Sequence, residues 1–102
     1  MNEQAVRGML GLAMRAGQLT AGVDLAARLM REGKAAAALI DSGASDNAKK
    51  RIGDTATFYH VPVFVLPEGM MDEATGKSGR VAAALQKGAL AGKIILLLTT
   101  AE

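Results

Sequence analysis

Short apolar runs alternate with glycine-punctuated amphipathic segments from one end of this chain to the other. An apolar run bounded by turn residues suits a buried strand. Apolar residues spaced three and four apart suit one face of a helix. A chain that alternates the two buries its strands in one sheet and lays helices on the faces. The expected fold is therefore α/β, a three-layer α/β/α sandwich around a small four-stranded mixed sheet.

The local signals place the elements. Residues 3–16 read as a helix with Val6, Leu10, Ala13 and Met14 on one face, Asn2 as its N-cap and Gly17 at its end. A brief strand at 18–20 leads to a helix at 21–32. Thr20 is placed to cap that helix, Leu25, Ala26 and Leu29 form its buried side, and Gly33 ends it. Helix propensity alone would make residues 35–40 helical. Their place between Gly33 and the Asp41, Ser42, Gly43 turn argues for a strand buried on both faces. Ser45 or Asp46 caps a third helix reaching Tyr59, with Ala48, Ile52, Ala56 and Tyr59 inside. Residues 61–66 are the clearest strand by β-branched content, with Pro62 tolerated near its start. A loop at Pro67 and Gly69, a short helix at 70–75 ended by Gly76, a strand at 80–85 and a final helix at 88–98 complete the pattern. In that last helix Leu90, Ile94, Leu97 and Leu98 are expected to face inward. It is apolar all round, so Ile95 and Leu96 either dock into the core or meet a partner.

At 102 residues the chain suits one domain spanning 1–102. Only Phe58, Tyr59 and Phe64 are aromatic, so the core is expected to be Ala, Val, Leu, Ile and Met. There is no cysteine, which removes disulfides and thiolate metal sites and fits a reducing cytoplasm. Glu3, Arg7 and Arg15 interrupt any signal-peptide pattern. The most hydrophobic run, residues 94–98, is far shorter than the roughly 20 residues a membrane span needs. No membrane partner is therefore expected. A net charge of +2 gives only modest long-range attraction to nucleic acid, so such binding requires local clustering.

The segment 15–34 concentrates such features. Asp24, Arg28 and Arg31 fall on one helical face, with an Asp24–Arg28 pair as the simplest outcome. Gly22 stands where the helix begins. Unpaired backbone N–H groups and the positive end of the helix dipole there suit a phosphate or a base edge. This segment resembles the RNA-reading motif of the kink-turn RNA-binding ribosomal protein family (L-seven-Ae and L-thirty type), in its bacterial YlxQ-like form. The family motif is Gly-x-Asn-Glu-x-x-Lys at the start of the second helix. Gly22 matches its glycine, Val23 its variable position and Arg28 its lysine. Asp24 stands at the asparagine and Leu25 at the glutamate.

The resemblance covers nearly the whole chain. It implies the four-stranded sandwich and a non-catalytic RNA-binding role. The implied partner is a structured, kink-turn-like or ribosomal RNA, with the ribosome a further partner. No cofactor is implied, and a monomer is expected. In the family the asparagine donates to and accepts from sheared G·A pairs, the glutamate accepts from guanine, and the lysine meets phosphate or base edges. An ionised Asp24 only accepts, and Leu25 does neither. Gln18 stands where the family often has a lysine. The loop at 76–81 resembles the one that packs on the flipped-out nucleotide. Lys77 and Arg80 would supply its cations, and Ser78 and Gly79 close backbone approach. The departures at 24 and 25 leave a protein-interaction module on the same fold as the rival reading.

Other features weigh less. Residues 74–78 imitate the end of a phosphate-binding P-loop, but Met71 stands where its first glycine belongs. Lys49, Lys50 and Arg51 form the densest basic cluster, expected on the exposed side of the third helix as solvated charge. His60 is the only histidine and has no partner for a zinc site. Asp72 and Glu73 are adjacent, a poor arrangement for two carboxylates to share one substrate. No nucleophile with a base is apparent, and an enzyme is not expected.

Overall fold

The computed structural model describes residues 1–100. The elements run α1 (Glu3–Arg15), β1 (Leu19–Ala21), α2 (Val23–Arg31), β2 (Ala35–Asp41), α3 (Asp46–Phe58), β3 (Val63–Leu66), α4 (Met70–Thr75), β4 (Ala82–Gln86) and α5 (Ala89–Thr99). The sheet order is β1-β4-β2-β3. β4 pairs antiparallel with both β1 and β2, and β2 pairs parallel with β3. The fold is the expected α/β/α sandwich with a mixed four-stranded sheet.

Two cores lie on opposite faces of the sheet. Ala37 and Leu39 of β2 and Ala83 and Leu85 of β4 face α1, α4 and α5, where Val6, Leu10, Met71 and Ile94 are buried. Ala38 and Ile40 of β2 and Ala82 and Ala84 of β4 face α2 and α3, where Ala26, Met30, Ile52 and Ala56 are buried. Burial on both sides explains why β2 and β4 read as continuous apolar runs. Alanine on the α2–α3 face lets those helices approach closely. Each fully buried Leu, Ile or Met contributes about 1.5–3 kcal/mol of transfer free energy. No helix among the described residues is long and apolar enough to cross a membrane.

Several local signals act as read. The Asn2 side chain accepts from the Ala5 N–H at 3.1 Å, and of the two candidates at α3 it is Ser45 that caps, accepting from Ala48 at 3.2 Å. Gly17 and Gly33 take φ 73° directly after the caps of α1 and α2, which glycine adopts without Cβ strain. Other expectations fail. Leu25 is 49% exposed because α2 buries Ala26, Ala27 and Met30 instead. Leu29 is half-buried. Tyr59 lies past the end of α3 and is exposed. Thr20 remains in β1 and does not cap α2. In α5, Ile94 and Leu98 are buried, Leu90, Ile95 and Leu97 pack partly against the same core, and Leu96 is exposed. Gln18 precedes β1 and Arg80 precedes β4, so neither lies in a strand.

Candidate nucleic-acid interface

Pairing of β1 with β4 sets Ala21 opposite Ala83, and the Gly22 N–H donates to the Ala82 carbonyl at 2.8 Å. The chain then turns into α2 through Gly22 at φ 123°, ψ 139°, a conformation side chains disfavour. The first bond within the helix runs from the Ala26 N–H to the Gly22 carbonyl at 2.9 Å. No side chain caps this end. Thr20, expected there, instead offers its Oγ1 to the Gln86 side-chain amide at 3.3 Å. The N–H groups of Val23, Asp24 and Leu25 therefore have no acceptor within the helix and carry the positive end of its dipole.

The loop at 76–81 faces the same region. Gly76 at φ 70° ends α4, and Gly79 at φ 73° makes a second turn. The Asp72 carboxylate accepts from the Arg80 N–H at 2.9 Å and the Gly79 N–H at 3.3 Å. Thr75 Oγ1 accepts from the Lys77 N–H at 3.3 Å and donates to the Met71 carbonyl at 2.9 Å. Side chains of α4 thus hold the loop in shape. Glu73 points elsewhere and pairs with Arg7 of α1 at 2.7 Å, so the two adjacent acids do not converge. The P-loop resemblance fails on context as well as on Met71. Gly76, Lys77 and Ser78 follow a helix and precede a strand, the reverse of the order that motif needs.

Between these parts lies a groove of about 380 Å³, lined by Met14, Thr20, Ala21, Leu25, Lys77 and Arg80 among others. The β1–α2 turn and the 76–81 loop, far apart in sequence, share it. Neither Lys77 nor Arg80 pairs with a carboxylate side chain among the described residues. The Arg80 Nε is buried and has no acceptor among the described residues. Ser78 and Gly79 are exposed beside it. Of the expected site residues only Lys77 and Arg80 line the groove; Gly22, Val23, Asp24 and Arg28 stand outside its lining, and so does Gln18. Its side-chain oxygen is buried without a donor and lies against Gly88 at the start of α5.

The charged stripe of α2 pairs differently from the simplest outcome. Arg28 donates through Nε to Glu32 at 3.2 Å, and Lys34 approaches the other oxygen of Glu32 at 3.4 Å. The Arg28 hydrogen bond first, and then that from Lys34, hold the Glu32 carboxyl below its ordinary range. Asp24, one of the most exposed of these groups, pairs with Arg51 of α3. The basic cluster on α3 is thus less free than expected. Lys50 pairs with Asp54 at 2.9 Å, which raises its pKa, and Arg51 is held by Asp24. The sequence reading missed Met14 and Arg51 as neighbours of this site, and no local signal marks either.

A second cavity of about 300 Å³ lies at the opposite ends of α2 and α3, lined by Arg31, Tyr59, His60, Pro62 and Lys87 among others. It receives the negative ends of two helix dipoles, which Arg31 and Lys87 offset. That makes it a poorer anion site than the groove. His60 there takes the position that glycine takes after α1 and α2. It lies at φ 59°, its N–H donates to the Thr57 carbonyl at 3.4 Å, and the Val61 N–H donates to Ala56 at 2.8 Å. Its role is to end α3.

No protein-family model matches the chain. It is 35% identical over 88 residues to the RNA-binding protein YlxQ of Enterococcus faecium, covering 85% of each chain. It is 34% identical over 91 residues to the RNA-binding protein YlxQ of Bacillus subtilis (strain 168), covering 88% of this chain and 91% of that one. A solved protein of unknown function from Bacillus halodurans C superposes with a TM-score of 0.86 at 28% identity, over 93% of this chain and 97% of that one. The Giardia lamblia 15.5kD RNA binding protein superposes with a TM-score of 0.75 at 14% identity, over 96% and 85%, which speaks to the fold alone. The chain carries the L-seven-Ae-type fold and belongs to the YlxQ family.

Proposed function

We propose that residues 1–102 act as one non-catalytic RNA-binding domain that grips a kinked internal-loop RNA of the kink-turn type. The observation that carries this reading is the groove shared by β1, the start of α2 and the 76–81 loop, with Leu25 of the uncapped first turn on one side and, on the other, Lys77 and Arg80, which pair with no carboxylate among the described residues. The Val23, Asp24 and Leu25 N–H groups offer donors to a base edge or phosphate. Asp24 accepts from the amino or imino protons of a guanine. Leu25 gives an apolar surface for a base or ribose in place of a hydrogen-bonding group. Lys77 and Arg80 hold the opposite wall against phosphate, with Ser78 and Gly79 letting the backbone come close. Arg28, in the last turn of α2 and tied through Nε to Glu32, adds a more distant phosphate contact through its remaining guanidinium N–H groups. Gln18 contributes nothing direct. Recognition of this kind reads shape and non-Watson–Crick edges more than linear sequence. A translation-associated, cytoplasmic role on ribosomal or other structured RNA, as a monomer, follows from the same reading.

The test is a titration against a standard kink-turn RNA and against the same RNA with its G·A pairs made Watson–Crick. Binding that is tight to the first and lost in the second is expected, with Arg80→Ala weakening it about tenfold and flattening the salt dependence by about one phosphate contact. Equal, weak binding to both RNAs refutes the kink-turn reading.

One observation favours the rival protein-interaction module. Phe58, Val65 and Leu96 are 74%, 59% and 66% exposed, and β3 is an edge strand. Concentration-dependent sedimentation would support that rival.

A further inference from the structure

We infer that Arg51 of α3 is a positioning residue of the RNA-facing surface, acting through Asp24. The inference rests on the reading of the α2 N-terminus as the docking end. Asp24 lies in the first turn of α2, with its side chain 81% exposed. A bare carboxylate there would meet a polyanion head on and would be free to rotate. Among the described residues, the only cation paired with it comes from 27 residues away, on the neighbouring helix. The Arg51 Nη1 donates to one carboxylate oxygen, Oδ1. Oδ2 has no hydrogen-bond donor among the described side chains and stays open toward solvent.

The pairing does two things for a ligand at the helix end. It cancels the charge that would repel phosphate, while leaving an oxygen able to accept from a guanine N–H. It also restrains the rotation of a carboxylate that stands in the first turn of α2, the turn whose N–H groups have no acceptor within the helix. Arg28 cannot do this, because it is engaged with Glu32. Lys50 cannot either, because it is engaged with Asp54. Arg51 is therefore the residue that makes an acidic side chain tolerable at this position.

The test is a four-way comparison of the native chain, Arg51→Ala, Asp24→Asn and the double variant, each titrated with the kink-turn RNA at two salt concentrations. Both side chains are at least half exposed or nearly so, at 49% and 81%, and circular dichroism checks that each variant folds. Arg51→Ala is expected to weaken the native chain about three- to tenfold, the scale of one unscreened like-charge contact near the surface. In the Asp24→Asn background the same change is expected to have less than about a twofold effect, because no charge remains to be held. The loss in the native background should shrink at the higher salt, because salt screens the repulsion between the uncovered Asp24 carboxylate and phosphate, whereas the small effect in the Asp24→Asn background should not change with salt. An equal loss in both backgrounds, a slope flattened equally in both, or no loss in the native chain overturns the inference while the docking reading stands. Failure of the native chain to bind the RNA at all overturns the docking reading and this inference with it.

Discussion

Replacing Gly22 with alanine isolates what the β1–α2 turn costs and what it supports. Gly22 sits at φ 123°, ψ 139°, and its N–H and carbonyl both serve the turn, to Ala82 and from Ala26. A Cβ added there would meet only Leu25, at 3.8 and 4.0 Å, which is ordinary contact. The penalty is therefore backbone strain and not collision. Holding a non-glycine residue in such a region costs about 1–3 kcal/mol. The lower entropy of the unfolded chain returns about 0.4–1 kcal/mol. The expected net loss is about 1–2 kcal/mol, a fall of roughly 4–15 °C in Tm for a domain of this size. Urea unfolding followed by circular dichroism measures it. Gly53→Ala serves as the control. It lies within α3 with nothing within 4 Å of the added Cβ, and should stabilise by about 0.5–1 kcal/mol. If Gly22→Ala is as stable as the native chain while Gly53→Ala behaves as expected, the turn is not the constrained entry to α2 described above. Where the variant folds, its relaxed turn should also shift the free N–H groups and weaken the kink-turn RNA complex.

Two further outcomes follow from local geometry. His60→Gly should stabilise the chain by about 0.5–1 kcal/mol in the same urea assay, because His60 is the one described non-glycine residue at positive φ and its side chain is exposed. The Glu32 carboxyl should titrate by NMR below its value in an unfolded peptide, and Arg28→Ala should raise it toward that value. Because its folded pKa is depressed, its contribution to folding is present above the unfolded pKa and is lost as pH falls through the folded one. The Arg28 tether is therefore intact at neutral pH and released only in acid.

What was legible in the sequence was what near neighbours encode. Asn2 and Gly17 mark the ends of α1, Gly33 the end of α2 and Gly76 the end of α4, because caps and left-handed turns depend on residues within one helical turn. The alternation of apolar runs with amphipathic segments set the α/β/α layering, since each element has one way to bury its face. The resemblance at Gly22 and Arg28 pointed to the start of α2 in the same way, through a short motif.

What only the tertiary structure decided depends on distance in space. Leu25 reads as core by spacing alone, yet α2 turns Ala26, Ala27 and Met30 inward, because the alanine-lined sheet face and α3 fix how that helix rolls. Tyr59 reads as the last buried turn of α3, but the helix stops at Phe58 and the His60 turn carries Tyr59 outward. Asp24 was expected to pair with Arg28 four residues on. Glu32 holds Arg28 instead, and α3 brings Arg51 to Asp24 across 27 residues. The groove itself joins residues 14–25 to residues 77–80 only because β1 pairs with β4 at the sheet edge. Short-range chemistry writes the elements into the chain, whereas a charge pair or a binding groove exists only once packing has fixed which faces meet.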